Sequence, residues 1–159
     1  MNDTPIETLS GTMYDYKQPF LIGAYVAKLD RKRRIRIPKQ LMDSIIVLNG
    51  AARKLYLQID ENRIRAYVIS AVGKMKHELG QLSLLNKENR KQIEEVGATL
   101  QEISITSDDR IMIPNEMLDT LDMQPNSEIK IEGSFEFITI CKKAISHPSR
   151  KKRVKRGVY

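Results

Sequence analysis

The chain has 159 residues, 41% of them hydrophobic, which suits one ordinary domain or two small ones with a packed core and is too apolar for a disordered chain. One cysteine, Cys141, and two histidines, His77 and His147, exclude an internal disulfide framework and a cysteine-based zinc finger and leave little for metal or base chemistry. A net charge of +7 favours an anionic partner, while no apolar run approaches the ~18–20 residues of a membrane helix and the start, with Asp3 and Glu7, does not read as a secretory signal.

The charge is unevenly placed. Residues 22–72 carry 11 basic and 4 acidic side chains, and residues 99–140 carry 2 and 9. The last block, 141–159, holds 8 basic side chains and no acid. A basic block, a near-neutral middle, an acidic block and a basic tail therefore follow one another.

In chain order, residues 1–19 are weakly patterned and are expected to be a flexible extension. Tyr25–Leu29 alternates as a strand, and Asp30-Arg-Lys-Arg33 forms a short polar loop. Ile35 and Ile37 then alternate with Arg34 and Arg36, a period of two with opposite faces. Pro38 stops that strand and suits the first turn of a helix over 39–45. Two further strands are predicted at Lys54–Ile59 and Arg63–Ser70. Ala71–Leu84 and Lys87–Val96 read as helices, the second with Asn86 as its N-cap and Gly97 as its stop. The pattern then recurs, with a strand over Leu100–Ile105, a loop Thr106–Asp109, a helix over 115–121 after Pro114, and strands at Glu128–Glu132 and Phe135–Cys141. Residues 146–159, rich in Pro, Lys and Arg, read as a basic disordered tail.

The recurrence is literal in places. Arg34-Ile-Arg-Ile-Pro-Lys-Gln-Leu-Met-Asp-Ser44 reappears 76 residues later as Arg110-Ile-Met-Ile-Pro-Asn-Glu-Met-Leu-Asp-Thr120, with five of eleven positions identical. Units of this size are marginal alone. The expected fold is therefore mainly β with short helices, an α+β chain of two tandem β-loop-β-α-β-β repeats, 20–70 and 98–145. They would interleave as a pseudo-two-fold unit joined by helices over 71–97. The loops Asp30–Arg33 and Thr106–Asp109 should then lie together on one face.

These residues carry a resemblance. Gly23-Ala-Tyr25 followed by Leu29-Asp-Arg-Lys-Arg-Arg-Ile-Arg-Ile-Pro38 resembles the opening of the MraZ family, in the AbrB/SpoVT swapped-hairpin superfamily. Leu82-Ser-Leu-Leu-Asn-Lys-Glu-Asn-Arg90 resembles that family's inter-repeat helix start, and Ala98 through Pro114 the entry to its second repeat. The resemblance spans about residues 20–145. It implies a bacterial transcriptional regulator of the division and cell-wall gene cluster and of its own promoter, cytoplasmic and nucleoid-associated. It also implies ring-shaped homo-oligomers on repeated promoter boxes. The family loop is Asp-x-x-x-Arg, usually with Gly before the Arg. Here Arg33 and Asp109 stand at the glycine position, where positive φ is easily reached only without a Cβ, and Thr106 replaces the second Asp. Asp109 should tolerate that region better than Arg33.

The candidate duplex-DNA-binding residues are Lys28, Arg31, Lys32, Arg33, Arg34, Arg36 and Arg110, with Asp30 and Thr106 as loop-positioning residues. Arginine forks match guanine O6 and N7 in the major groove, and lysines reach phosphate. The Asp30 carboxylate is expected to accept turn N–H groups and hold Arg34. Arg110 has a competing reading, an ion pair with Asp108. The tail Arg150–Arg156 reads either as a solubilising end or as a non-specific phosphate clamp. Cys141 and Met42, Met75 and Met117 read as apolar filler and core, and His77 as a surface residue. No nucleotide loop, catalytic set, cofactor site or metal-ligand spacing is evident, so neither an enzyme nor a cofactor is expected. Two alternatives stand beside the regulator: an antitoxin-like member of the same superfamily holding a toxin, and a basic assembly protein on RNA or membrane. The basic loop lacks an aromatic platform for single-stranded RNA, and no basic amphipathic helix marks a membrane binder.

Overall fold

The computed structural model describes residues 19–143. The expected N-terminal extension, up to residue 18, and the expected basic tail lie outside them. Among the described residues are eight strands and four helices. They run in the order β1 (Ala24–Lys28), β2 (Arg34–Arg36), α1 (Lys39–Leu48), β3 (Lys54–Asp60), β4 (Arg63–Tyr67), α2 (Ile69–Gly80), α3 (Lys87–Thr99), β5 (Gln101–Ser104), β6 (Arg110–Met112), α4 (Asn115–Leu121), β7 (Glu128–Gly133) and β8 (Phe137–Lys142). The chain is thus α+β.

Six strands form one antiparallel sheet in the order β1-β7-β8-β4-β3-β5, and β2 and β6 form a separate two-stranded ribbon. Exchanging each strand for its counterpart in the other copy of the recurring pattern reverses this order and leaves it unchanged. The first strand of each copy pairs with the third strand of the other: Tyr25 stands opposite Ile131, and Leu55 opposite Ile103. The two copies meet at the centre of the sheet, where Ile64 faces Ile140. In the ribbon Ile35 faces Ile111, and each strand is extended by one more bond, Ile37 N–H to Asp109 O and Ile113 N–H to Arg33 O, both 2.8 Å.

The core follows the same recurrence. Leu29 and Ile105, Ile35 and Ile111, Ile37 and Ile113, Leu41 and Met117, and Met42 and Leu118 are all buried. Each pair stands 76 residues apart, so equivalent positions fill one shared apolar interior. Neither copy holds its own first strand, so neither closes this core alone.

Several element bounds differ from the sequence reading, for local reasons. The fourth strand ends at Tyr67 rather than Ser70, because Asn49 Oδ1 accepts the Ile69 N–H at 2.8 Å and starts α2 there. Asn49, one of two buried polar residues among those described, also donates to the carbonyls of Ala52 and Lys54. Gly97 does not stop its helix, which runs through it to Thr99, where the Thr99 hydroxyl donates to Glu95 O at 2.8 Å. Asn86 does cap that helix, accepting from the Glu88 and Asn89 N–H groups. Phe135 lies outside β8 at φ 70°, bridged to Leu21. Strand β7 runs one residue past the predicted end, to Gly133, where a Cβ would stand 2.4 Å from the Leu21 carbonyl carbon. Among the described residues no helix is long and apolar enough to cross a membrane.

Candidate nucleic-acid interface

The ribbon brings together two loops that lie 76 residues apart in the chain. Period-two alternation puts Ile35 and Ile111 beneath it and Arg34, Arg36, Arg110 and Met112 on its outer face, with Arg36 opposite Arg110 and Arg34 opposite Met112. Both loops take the same backbone course. Asp30 N–H donates to Arg34 O at 2.9 Å and Thr106 N–H to Arg110 O at 2.8 Å. Arg33 and Asp109 both sit at φ 66°, so the left-handed position that glycine would serve is held by an arginine in one loop and an aspartate in the other.

The side chains that hold the loops differ. Asp30 Oδ1 accepts the Lys32 N–H at 2.8 Å and the Arg34 N–H at 2.9 Å, and Oδ2 accepts Arg34 Nε at 3.1 Å. One carboxylate thus closes the turn and fixes the arginine that follows it. Partial burial raises its pKa, but the two backbone N–H groups and the Arg34 guanidinium outweigh that and leave it below the usual carboxylate value. In the second loop Thr106 Oγ1 accepts the Arg110 N–H at 2.9 Å and donates to Asp108. The hydroxyl replaces the turn-closing bond but carries no charge to hold the Arg110 side chain. That hydrogen bond, with the nearby Arg110 and Arg36 cations, lowers the Asp108 pKa.

Carboxylates take up the second loop's cation. Arg110 Nε lies 3.2 Å from Asp108 Oδ2 without hydrogen-bond alignment, and Arg110 Nη1 lies 3.5 Å from Asp30 Oδ2. Asp108 also reaches Arg36 at 3.9 Å. The acidic competitor expected for Arg110 is in place, with Asp30 as a second that spacing did not show. Arg53, absent from the sequence reading, donates from Nη2 to Thr106 O at 2.7 Å and to the Asp109 carboxylate, tying the second loop to the start of β3. A lone arginine between Ala52 and Lys54 gives no local signal for this role, because its partners lie 53 and 56 residues away.

Lys28, Arg31, Lys32 and Arg33 have no ion pair among the described residues, and Lys28, Arg31 and Lys32 are exposed. Arg33 Nη2 leans on Met112 Sδ at 3.7 Å. Four cations without an ion pair among the described residues therefore surround one loop, Lys28 standing opposite Glu128, which is taken by Lys143, while the other loop's guanidinium and both its carboxylates are engaged. Such a surface can neutralise phosphates around the first loop and offers Arg34, held by its aspartate, as a rigid fork.

Scanned against models of known protein families, the chain matches none, and no curated protein is significantly similar to it.

Proposed function

We propose that this chain is a sequence-specific duplex-DNA-binding transcriptional regulator of the MraZ type, built from two AbrB-like repeats. The observation that carries the reading is the pinned first loop. Arg34 is oriented by Asp30, and Lys28, Arg31, Lys32 and Arg33 around it are free of ion pairs among the described residues. A base-reading contact needs a guanidinium of fixed direction, and the surrounding phosphates need unpaired cations. Both requirements meet on one loop. The second loop plays the smaller part, because Asp108 and Asp30 hold Arg110 and Asp109 takes up Arg53, leaving no unpaired cation there among the described residues.

Each chain would then present one strong reading loop. A homo-oligomer, in the family's ring form, would space those loops to fit repeated short promoter boxes. The resemblance further points to the division and cell-wall gene cluster, with the protein's own promoter among its targets, and to a nucleoid location. A gel shift tests the reading. Duplex from the chain's own promoter should bind more tightly than shuffled duplex or single-stranded RNA. The affinity should fall with salt at a log–log slope of about 0.9 per phosphate neutralised. Affinity unchanged between low and moderate salt, or preference for single-stranded RNA, refutes it.

A further inference from the structure

The helices between the two copies make a cavity that the DNA reading does not use. Val72, Met75 and Leu79 recur at helical spacing along α2, and Ile93, Val96 and Leu100 along and just past α3. The two stripes line a cavity of about 420 Å³, within the range of small-molecule sites. Helix α3 buries none of its residues and α2 buries only Ala71; Val72, Met75 and Leu100 pack partly against the core and also line the cavity, and Leu79, Ile93 and Val96 add to its apolar wall. The walls contain no aromatic ring, hence no flat face for a planar ligand, and their aliphatic side chains conform to a flexible chain. Gly80 and Gly97 also line the cavity, and a Cβ at either would meet no atom within 4 Å. A single cation, Lys76, stands in the lining, with no ion pair among the described residues, whereas Lys74 on the same helix is 2.8 Å from Glu136.

We propose that this cavity binds a straight-chain aliphatic carboxylate, with the alkyl chain between α2 and α3 and the carboxylate at Lys76. Three features favour this occupant over a protein surface: concavity at small-molecule volume, apolar walls on both sides, and one unpaired cation in an otherwise aliphatic lining. The site stands independently of the DNA reading.

Titration calorimetry of the full-length protein with hexanoate, octanoate and decanoate, and with decanol as the uncharged control, tests the proposal. Light scattering on the same samples follows the oligomeric state. Saturable binding of one carboxylate per chain is expected. It should tighten about fourfold per added methylene until the cavity is full. Lys76→Met should reduce decanoate affinity about fivefold, toward that of decanol, and leave decanol binding unchanged. Gly97→Leu places an isobutyl group on the cavity lining and replaces a glycine inside a helix, so it should weaken decanoate binding while melting no lower than the parent chain. Absence of saturable binding at every chain length, or decanoate binding undiminished in a Gly97→Leu chain that melts normally, overturns the proposal. So does decanoate splitting an oligomer in proportion to its binding, which would make the cavity a contact between copies.

Discussion

Replacing Asp30 by alanine isolates the device that distinguishes the two loops. The substitution removes an acceptor for two backbone N–H groups, at 2.8 and 2.9 Å, and for Arg34 Nε at 3.1 Å, and with it the longer contact to Arg110 Nη1 at 3.5 Å, which adds little. At about 1 kcal/mol net per hydrogen bond the sum is about 3 kcal/mol. The carboxylate is 31% exposed, so water recovers part of this and about 2 kcal/mol is expected. Thr106 holds the equivalent position and supplies a single turn-closing acceptor at 2.9 Å, so Thr106→Ala should cost about 1 kcal/mol. For a domain of this size these losses correspond to melting-temperature shifts of roughly 8 and 4 °C. The pH dependence gives a second readout. Asp30 has a lowered pKa in the folded chain, so its contribution is fully present above the unfolded carboxylate value and is lost as pH falls through the lower folded value. The gap in stability between the parent chain and Asp30→Ala should therefore be constant near neutrality and begin to narrow as pH falls below the ordinary carboxylate value of about 4. Thermal and denaturant melts of both variants across pH 3–7 measure this. Equal losses for the two variants, or a gap that does not narrow at all between pH 7 and pH 3, would refute the reasoning that one carboxylate holds both turn and arginine.

The remaining predictions concern the same ribbon and its supports. Arg34→Ala should cost about 1–3 kcal/mol of DNA binding per engaged subunit and relax specificity, and Arg110→Ala distinctly less, titrated on one operator with melts alongside. Equal losses of affinity would show that both loops read DNA and that the acids beside Arg110 do not matter. Arg33→Gly relieves a left-handed backbone at φ 66° and should leave stability unchanged or raise it by up to about 1 kcal/mol, while flattening the salt dependence of binding, because an unpaired cation is lost. A clear fall in melting temperature would show that the Arg33 contact with Met112 outweighs the strain. Gly133→Ala forces a Cβ to 2.4 Å from the Leu21 backbone and should destabilise the chain by about 1–3 kcal/mol in denaturant melts; a neutral result would mean that the Leu21–Phe135 bridge gives way freely.

Much of this protein is legible in local pattern. Period-two alternation around Ile35 and Ile111, proline after each short strand and the Asn86 cap place the elements within a few residues, because those signals act through neighbours in the chain. The literal recurrence from Arg34 to Ser44 and from Arg110 to Thr120 identifies which positions are equivalent, and the Asp30-to-Arg34 spacing shows how the first loop holds its arginine. Element ends were less legible where a distant side chain decides them, as Asn49 does for the start of α2. Only the tertiary structure shows that Asp30 also reaches Arg110, that Asp108 reaches Arg36, and that Arg53 ties down the second loop. Those pairings depend on exchange of first strands between the two copies, which brings residues more than fifty positions apart within an ion pair's reach. Charge spacing along the chain lists the candidate partners. Which of them meet is decided by the shared apolar core, since Ile35, Ile37, Ile111 and Ile113 can all be buried only when the two short strands lie side by side.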